Sequence, residues 1–274
     1  MKPTGRRSST SRTALLAACL IVVMGTSVPA RALDLFTLWR QSELPLDLAP
    51  GTWADYRSQV MTGGRSETGL TRVACLAAPR GEPDGSRVFE IVPLQEDEQG
   101  NLGPVPGSGV WLLVSADIAR REGDLLDLVQ EAWQWEDGRA RKLSLDSMRE
   151  DPLAAGFLQR GFEADSVEHK GPATRIIAGR QFLCRQLVLS ARDTQSVDLP
   201  AGRMTQWTLH EITVAFDAGL PLLGVAYAAE RISSRSTFDP PHPRLRPPPP
   251  RIRVEVMELV DFGCDATSLL GRGH

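Results

Sequence analysis

Lysine is scarce in this chain: past Lys2 only Lys142 and Lys170 occur, and arginine carries the rest of the positive charge. No cluster of basic residues follows the N-terminus, which argues against nucleic acid, because phosphate binding needs grouped Lys and Arg. The same lack argues against docking on anionic lipid by charge alone. Catalytic signatures are missing as well. There is no Gly-x-Ser-x-Gly, no P-loop, no His-Glu-x-x-His and no dinucleotide fingerprint. The histidines beyond residue 32, His169, His210, His242 and His274, are scattered without Cys or carboxylate at metal-ligand spacing. His210 alternates with apolar neighbours and is expected to be a hydrogen-bonded strand residue. Acidic pairs such as Glu96/Asp97 and Glu136/Asp137 fall in turns. No enzyme, metal or cofactor is therefore expected, although a glycosidase drawing two carboxylates from distant strands would leave no spacing to read.

Long apolar runs are also absent, apart from residues 14–24. Lys2, Arg6, Arg7 and Arg12 precede that run and Ala30-Arg31-Ala32 follows it, which is the layout of a secretory signal with cleavage before Leu33. The run is too short for a comfortable membrane span, so no transmembrane segment is expected after cleavage. Two alternatives are present. Leu16-Ala17-Ala18-Cys19 has the form of a lipoprotein signal that would anchor the chain through Cys19, but the apolar run continues past it to Met24. Arg6-Arg7 suggests a twin-arginine signal, but Ser8-Ser9-Thr10 lacks the expected apolar residues. Removing the five basic residues of 1–32 takes the formal net charge from −3 to about −8. The expectation is an exported, periplasmic, acidic protein of one domain, residues 33–274, long enough to bury one core.

Cysteine is sparse. Cys75, Cys184 and Cys264 remain after cleavage, and an oxidising compartment permits a disulfide between two of them, leaving one free; three buried thiols is the alternative.

What the chain does have is strand pattern. Residues 53–61 and 70–77 flank Gly63-Gly64 as a hairpin; Ala54, Tyr56, Ser58 and Val60 share a dry face, and Asp55, Arg57 and Gln59 a wet one. Residues 87–94 and 110–114 read as further strands. From Gly171 to Gly263 come four more, at 174–190, 203–216, 222–234 and 251–262. Residues 33–39 form a short amphipathic segment stopped by Pro45, expected as a plug or lid over the end of a sheet. An insert over 117–161 breaks the period. Leu125, Leu126, Leu128, Val129, Ala132 and Trp133 follow helical spacing over 123–133, with Asp124 as N-cap. Asp151-Pro152 predicts a second helix to Gly161. The loop 239–250 is dominated by proline and is expected as a stiff, exposed hairpin tip.

Three segments carry a resemblance: Gly179-Arg180-Gln181-Phe182-Leu183-Cys184-Arg185, Leu220-Pro221-Leu222-Leu223-Gly224-Val225 and Glu258-Leu259-Val260-Asp261-Phe262-Gly263. In this order the chain resembles uncharacterised bacterial exported proteins that look like the LolA/LolB lipoprotein-carrier superfamily. The resemblance implies a mainly β fold, a strongly curved antiparallel sheet forming an incomplete β-barrel, with helices across its open face. It also implies non-enzymatic carriage of a lipid or lipidated polypeptide, with a hydrophobic ligand or lipoprotein acyl chain as partner. Two features depart from that pattern: no Trp precedes the Pro221 turn, and the proline loop is an elaboration. An apolar concave face can hold an alkyl chain without catalysis, at about 0.8 kcal/mol per CH₂. The expected lining is Val60, Val114, Ile212, Val214 and Phe216, with Leu125, Leu128 and Trp133 from the insert. The alternative is a structural or interaction module of the cell envelope, its barrel dry and filled, its loops touching another envelope protein.

Overall fold

Alternation of apolar and polar residues dictates strands whose two faces differ, and antiparallel hairpins join most of them. The computed structural model describes residue 33 and residues 35–136, 138–146, 163–199, 202–239 and 246–270. The expected signal peptide with Cys19, the helix expected from Asp151 to Gly161, residues 240–245 of the proline loop and His242 lie outside the described residues.

Among the described residues, β1 (Trp53–Thr62), β2 (Arg65–Ala77), β3 (Arg87–Glu96), β4 (Leu102–Pro104), β5 (Gly109–Val114), β6 (Val129–Glu136) and β7 (Arg139–Lys142) form one meander. A second follows: β8 (Ser166–Ile177), β9 (Arg180–Leu199), β10 (Gly202–Phe216), β11 (Val225–Asp239) and β12 (Arg251–Gly263). They make a single antiparallel sheet, ordered β7-β6-β5-β3-β2-β1-β12-β11-β10-β9-β8, with β4 added on β3. The seam is β1 on β12, from Trp53↔Gly263 to Thr62↔Arg253 with a bulge after Asp55. The sheet is not closed, since β7 and β8 do not pair. It is nevertheless curled. Phe182 of β9 meets Phe262 of β12 edge-on at 5.8 Å, and the Arg175 guanidinium of β8 lies 4.1 Å from the Tyr227 ring of β11. Three strand spacings on a flat sheet would separate each pair by about 14 Å.

Among the described residues, helix is found at α1 (Leu35–Leu38), α2 (Leu125–Leu128), a 3₁₀ turn (Ala116–Arg120) and residues 145–146. The helix expected over 123–133 is therefore corrected. Asp124 stands at the N-cap position without a side-chain capping bond, and from Val129 the chain is β6, paired to β5. Val, Trp and Trp at 129, 133 and 135 suit a pleated strand, and the β5 partner supplies the ladder bonds. The strand expected over 174–190 is likewise two, β8 and β9. Ala178 (φ 47°) and Gly179 (φ 74°) both take positive φ, the mark of a tight type I′ hairpin turn. An alanine there hides the turn. Residues 222–224 belong to the turn before β11, with Leu222 at φ 60°.

The sheet's two faces carry separate cores. Leu112, Val114, Ile212, Val214, Phe216, Met257 and Leu259 belong to the main one. Val88, Trp111, Leu113 and Trp135 form a smaller one behind it, with Leu270 packed over them. Leu269 N donates to the buried Glu90 at 2.8 Å and Ser268 Oγ donates to the same carboxylate, which fixes that tail.

Cys75, Cys184 and Cys264 are free thiols, the first two buried and the last exposed. Cys75 N bonds to Thr52 O, while Cys264 follows β12 on the other side of β1. Those two thus lie two strand spacings apart, roughly 10 Å, beyond the ~7 Å Cα reach of a disulfide. Cys184 sits on β9, further round the sheet.

Candidate functional site

The chain leading into β1 lies against the main core. Leu33, Leu35, Leu38, Trp39 and Leu44 are all buried there. Phe36 meets Phe89 of β3 edge-on at 5.8 Å. Backbone carbonyls of this segment are held by side chains from elsewhere: Arg121 Nη2 donates to Leu44 O at 2.8 Å and Nη1 to Gln41 O, and Arg87 Nε donates to Leu48 O at 2.8 Å. Burial holds the Arg121 guanidinium below its ordinary pKa, with Glu43 opposing that effect. Arg40 reaches out to Gly123 O at 3.0 Å and Glu163 at 2.6 Å. Asp47 N bonds to Leu222 O at 2.7 Å, joining the segment to the turn before β11.

Between this segment and the sheet is a cavity of about 30 Å³. Leu35, Phe36, Trp39 and Leu46 wall one side, with Val73, Phe89 and Ile118 among the residues opposite. Every lining side chain is apolar, apart from the indole N–H of Trp39, which is buried and finds no acceptor among the described residues.

None of the eight residues expected to line a binding space walls this cavity. Val114, Leu125, Ile212, Val214 and Phe216 are packed in the main core, and Leu128 lies against it. Val60 is half-buried opposite Glu255. Trp133 lies elsewhere. It pairs with Trp111 across β5 and β6 and packs in the smaller core, on the other face from Ala132 and Leu112. A helix places Trp133 beside Leu125 and Val129; a strand flips it away from Ala132.

At one end of the segment the interior turns polar, which the sequence reading missed. Leu33 N donates to Glu255 Oε2 at 2.6 Å. Glu255 of β12 stands directly opposite Glu230 of β11, and both are nearly fully buried. His210 Nδ1 lies 2.8 Å from Glu230 Oε1, and Arg253 pairs with Glu255. Among the described residues Glu230 Oε2 has no hydrogen-bond partner. Burial pushes the Glu255 carboxyl above its ordinary range, against the pull of the Leu33 N–H and Arg253. The legible signal was register: Glu230 falls in step with Ala226 and Ala228, and Glu255 with Met257 and Leu259, acids on the dry parity of their strands. Although these two acids face each other, neither reaches the cavity. Among the described residues no group of three His, Cys, Asp or Glu is placed to hold a metal ion. No described helix is long and apolar enough to cross a membrane.

No protein-family model matches the chain, and no curated protein matches it. Solved structures do. A DUF1329 family protein from Desulfovibrio piger is 13% identical, with a TM-score of 0.31 over 85% of this chain and 91% of its own. A protein described as an outer membrane lipoprotein-sorting domain, from Vibrio parahaemolyticus, is 9% identical (TM-score 0.30, 83% of this chain, 90% of its own). A LolA superfamily protein from Nitrosomonas europaea is 8% identical (TM-score 0.26, 85% and 93%). These three are among the solved structures similar to this chain, and at these scores the likeness says nothing of what it binds.

Proposed function

We propose that the protein is an exported, non-enzymatic binder of an apolar chain, a lipid or the acyl part of a lipidated polypeptide. Its own N-terminal segment occupies the binding face in the closed state. The observation that carries this reading is the apolar cavity between α1 and the sheet. Its walls come from two pieces of chain that can separate: a short segment with one helical turn, and a rigid sheet. The cavity itself, at about 30 Å³, has room for about two water-sized groups and not for an acyl chain. Cargo therefore has to replace the segment.

Magnitudes permit that exchange. Leaving the core exposes Leu33, Leu35, Leu38, Trp39 and Leu44, at about 2 kcal/mol each, or roughly 10 kcal/mol. An alkyl chain of about 12 to 14 methylenes recovers a similar amount in the same groove.

The cavity's small size favours a second reading, an envelope interaction module with a filled interior. Ile176 and Leu183, 76% and 66% exposed on the β8–β9 hairpin, would then offer the contact surface. One experiment separates the two. The protein is isolated under native conditions from an exporting bacterial host, extracted for lipid, and titrated with a fluorescent long-chain fatty acid. Co-purified lipid, or saturable binding that quenches Trp39, supports the carrier. Absence of both, with Ile176→Asp and Leu183→Asp abolishing an envelope partner, supports the module.

A further inference from the structure

The buried polar cluster at Leu33 is out of balance. Glu230 and Glu255 are two carboxylates facing one guanidinium, Arg253, and the imidazole of His210. The carboxylates outnumber the guanidinium in a nearly dry interior, and among the described residues Glu230 Oε2 has no donor. Lone buried charges are costly enough that proteins pair or neutralise them. Aimed at the cluster, at 2.6 Å from Glu255 Oε2, is the backbone nitrogen of Leu33. That residue directly follows Ala30-Arg31-Ala32, the small-x-small site of the signal.

We propose that the amine released at Leu33 by signal cleavage is the missing counter-charge, so that export processing completes the polar core and locks the N-terminal segment onto the sheet. A signal peptidase hydrolyses the Ala32–Leu33 peptide bond with one water, leaving a carboxylate on Ala32 and an α-ammonium on Leu33. One N–H donor becomes three. The first keeps its bond to Glu255, and the other two are free to reach Glu230 Oε2 and neighbouring acceptors. The positive charge of the ammonium matches the second carboxylate. The uncleaved chain has only an amide there. This inference rests on the export reading for the cleavage point, and it describes the closed state, with the segment on the sheet.

The test begins with the protein exported from its own signal. Intact mass should give a chain starting at Leu33. A chain starting elsewhere, or acylated at Cys19, would overturn both the cleavage point and the counter-charge. On the Leu33-start protein, reductive methylation of the α-amine is followed at several pH values, native and in urea. An amine paired with Glu255 has its pKa raised by at least one unit above the usual ~8, so at pH 7 it labels about tenfold more slowly than in urea. Glu255→Gln keeps the side chain's size and removes its charge. In that variant the native rate should return towards the unfolded one, whereas simple burial would leave the amine equally protected. Should that variant not fold, the pH midpoint of labelling in the wild-type protein decides: a midpoint near 8 in both states sinks the counter-charge while leaving export standing.

Discussion

Asp55 of β1 and Arg72 of β2 face each other across the hairpin, joined by two parallel hydrogen bonds of 2.7 Å from Nε and Nη2 to the two carboxylate oxygens. The carboxylate is 1% exposed and the guanidinium 25% exposed. The Trp53 ring covers the guanidinium at 4.1 Å, and Trp53 Nε1 in turn donates to Asp265 at 2.9 Å. Hydrogen bonding to Asp55 raises the Arg72 pKa, against the opposing effect of burial. Removing one partner of a buried pair strands the other. Arg72 keeps some water, so Asp55→Ala is expected to cost about 2–3 kcal/mol rather than the upper end of the range. Arg72→Lys should cost nearly as much as Arg72→Ala, because a lysine cannot make the two-pronged contact. Urea unfolding of the three variants measures this. A loss below about 0.5 kcal/mol for Asp55→Ala would mean the pair behaves like an exposed one.

Gly224 ends the turn between β10 and β11 at φ 65°, with its N–H on Pro221 O and its C=O accepting from Asp217 N. A methyl group added there would lie 2.5 Å from Asp217 O and 2.4 Å from Pro45 Cγ, so it would press on the N-terminal segment as well as on the turn. Gly179, at φ 74°, has open space around it. Gly179→Ala should cost only the backbone strain, about 1 kcal/mol, and Gly224→Ala about 3 kcal/mol or more. Thermal melts compare the two directly. Equal losses would show that the Pro45 contact yields without cost.

Burial pushes the Cys75 thiol up to about 12 and raises the Cys184 thiol as well, while Cys264 is exposed. The thiolate is the reactive form. At pH 8 an aromatic disulfide reagent should therefore titrate one thiol in the native Leu33-start chain, and Cys264→Ser should abolish that reaction. In guanidinium all three should react without any reductant. Fewer than three in guanidinium would reveal a disulfide.

Strand existence was legible because each strand carries its own alternation. Ala54 and Tyr56 are buried on the dry face as their parity requires, and β10 and β12 fall within a residue of expectation. Asp55 was misread, since a period-two pattern assigns faces but cannot see that Arg72 and Trp53 roof over the wet side. The stretch 123–133 was ambiguous for a physical reason. Leu125, Val129 and Ala132 all reach the main core, and short apolar runs satisfy both periods until a pairing partner is known. That partner, β5, is fixed only by tertiary structure. Nothing local announced that α1 and the residues after it would take the inside of the sheet. Their amphipathic spacing suggested a lid, but the residues that line the cavity with them, Val73, Phe89, Ile118 and Leu222, come from four distant places.

The acid at position 255 gives stability a pH dependence whose sign depends on processing. In a chain that keeps residue 32, Leu33 N is an amide. Burial then raises the folded pKa of Glu255 above its ordinary 4.5, with the like charge of Glu230 adding and the Leu33 N–H and Arg253 opposing. The folded state then holds a proton that the unfolded state has released, so stability falls as pH rises from about 4.5 through the raised folded value. Arg253 on the same strand, Glu230 opposite, and His210 behind Glu230 stay common to both proteins when Glu255→Gln is the reference. Unfolding midpoints between pH 4 and 8 should therefore show the Gln variant gaining on the wild type as pH increases. Parallel curves would mean that Glu255 stays ionised throughout. In the chain that starts at Leu33, the ammonium favours the carboxylate and its own pKa is raised. Its stabilisation is complete below the unfolded amine's value of about 8 and is lost as pH rises through the folded one. The advantage of the Gln variant near neutrality should then shrink or reverse, and it should return only at alkaline pH.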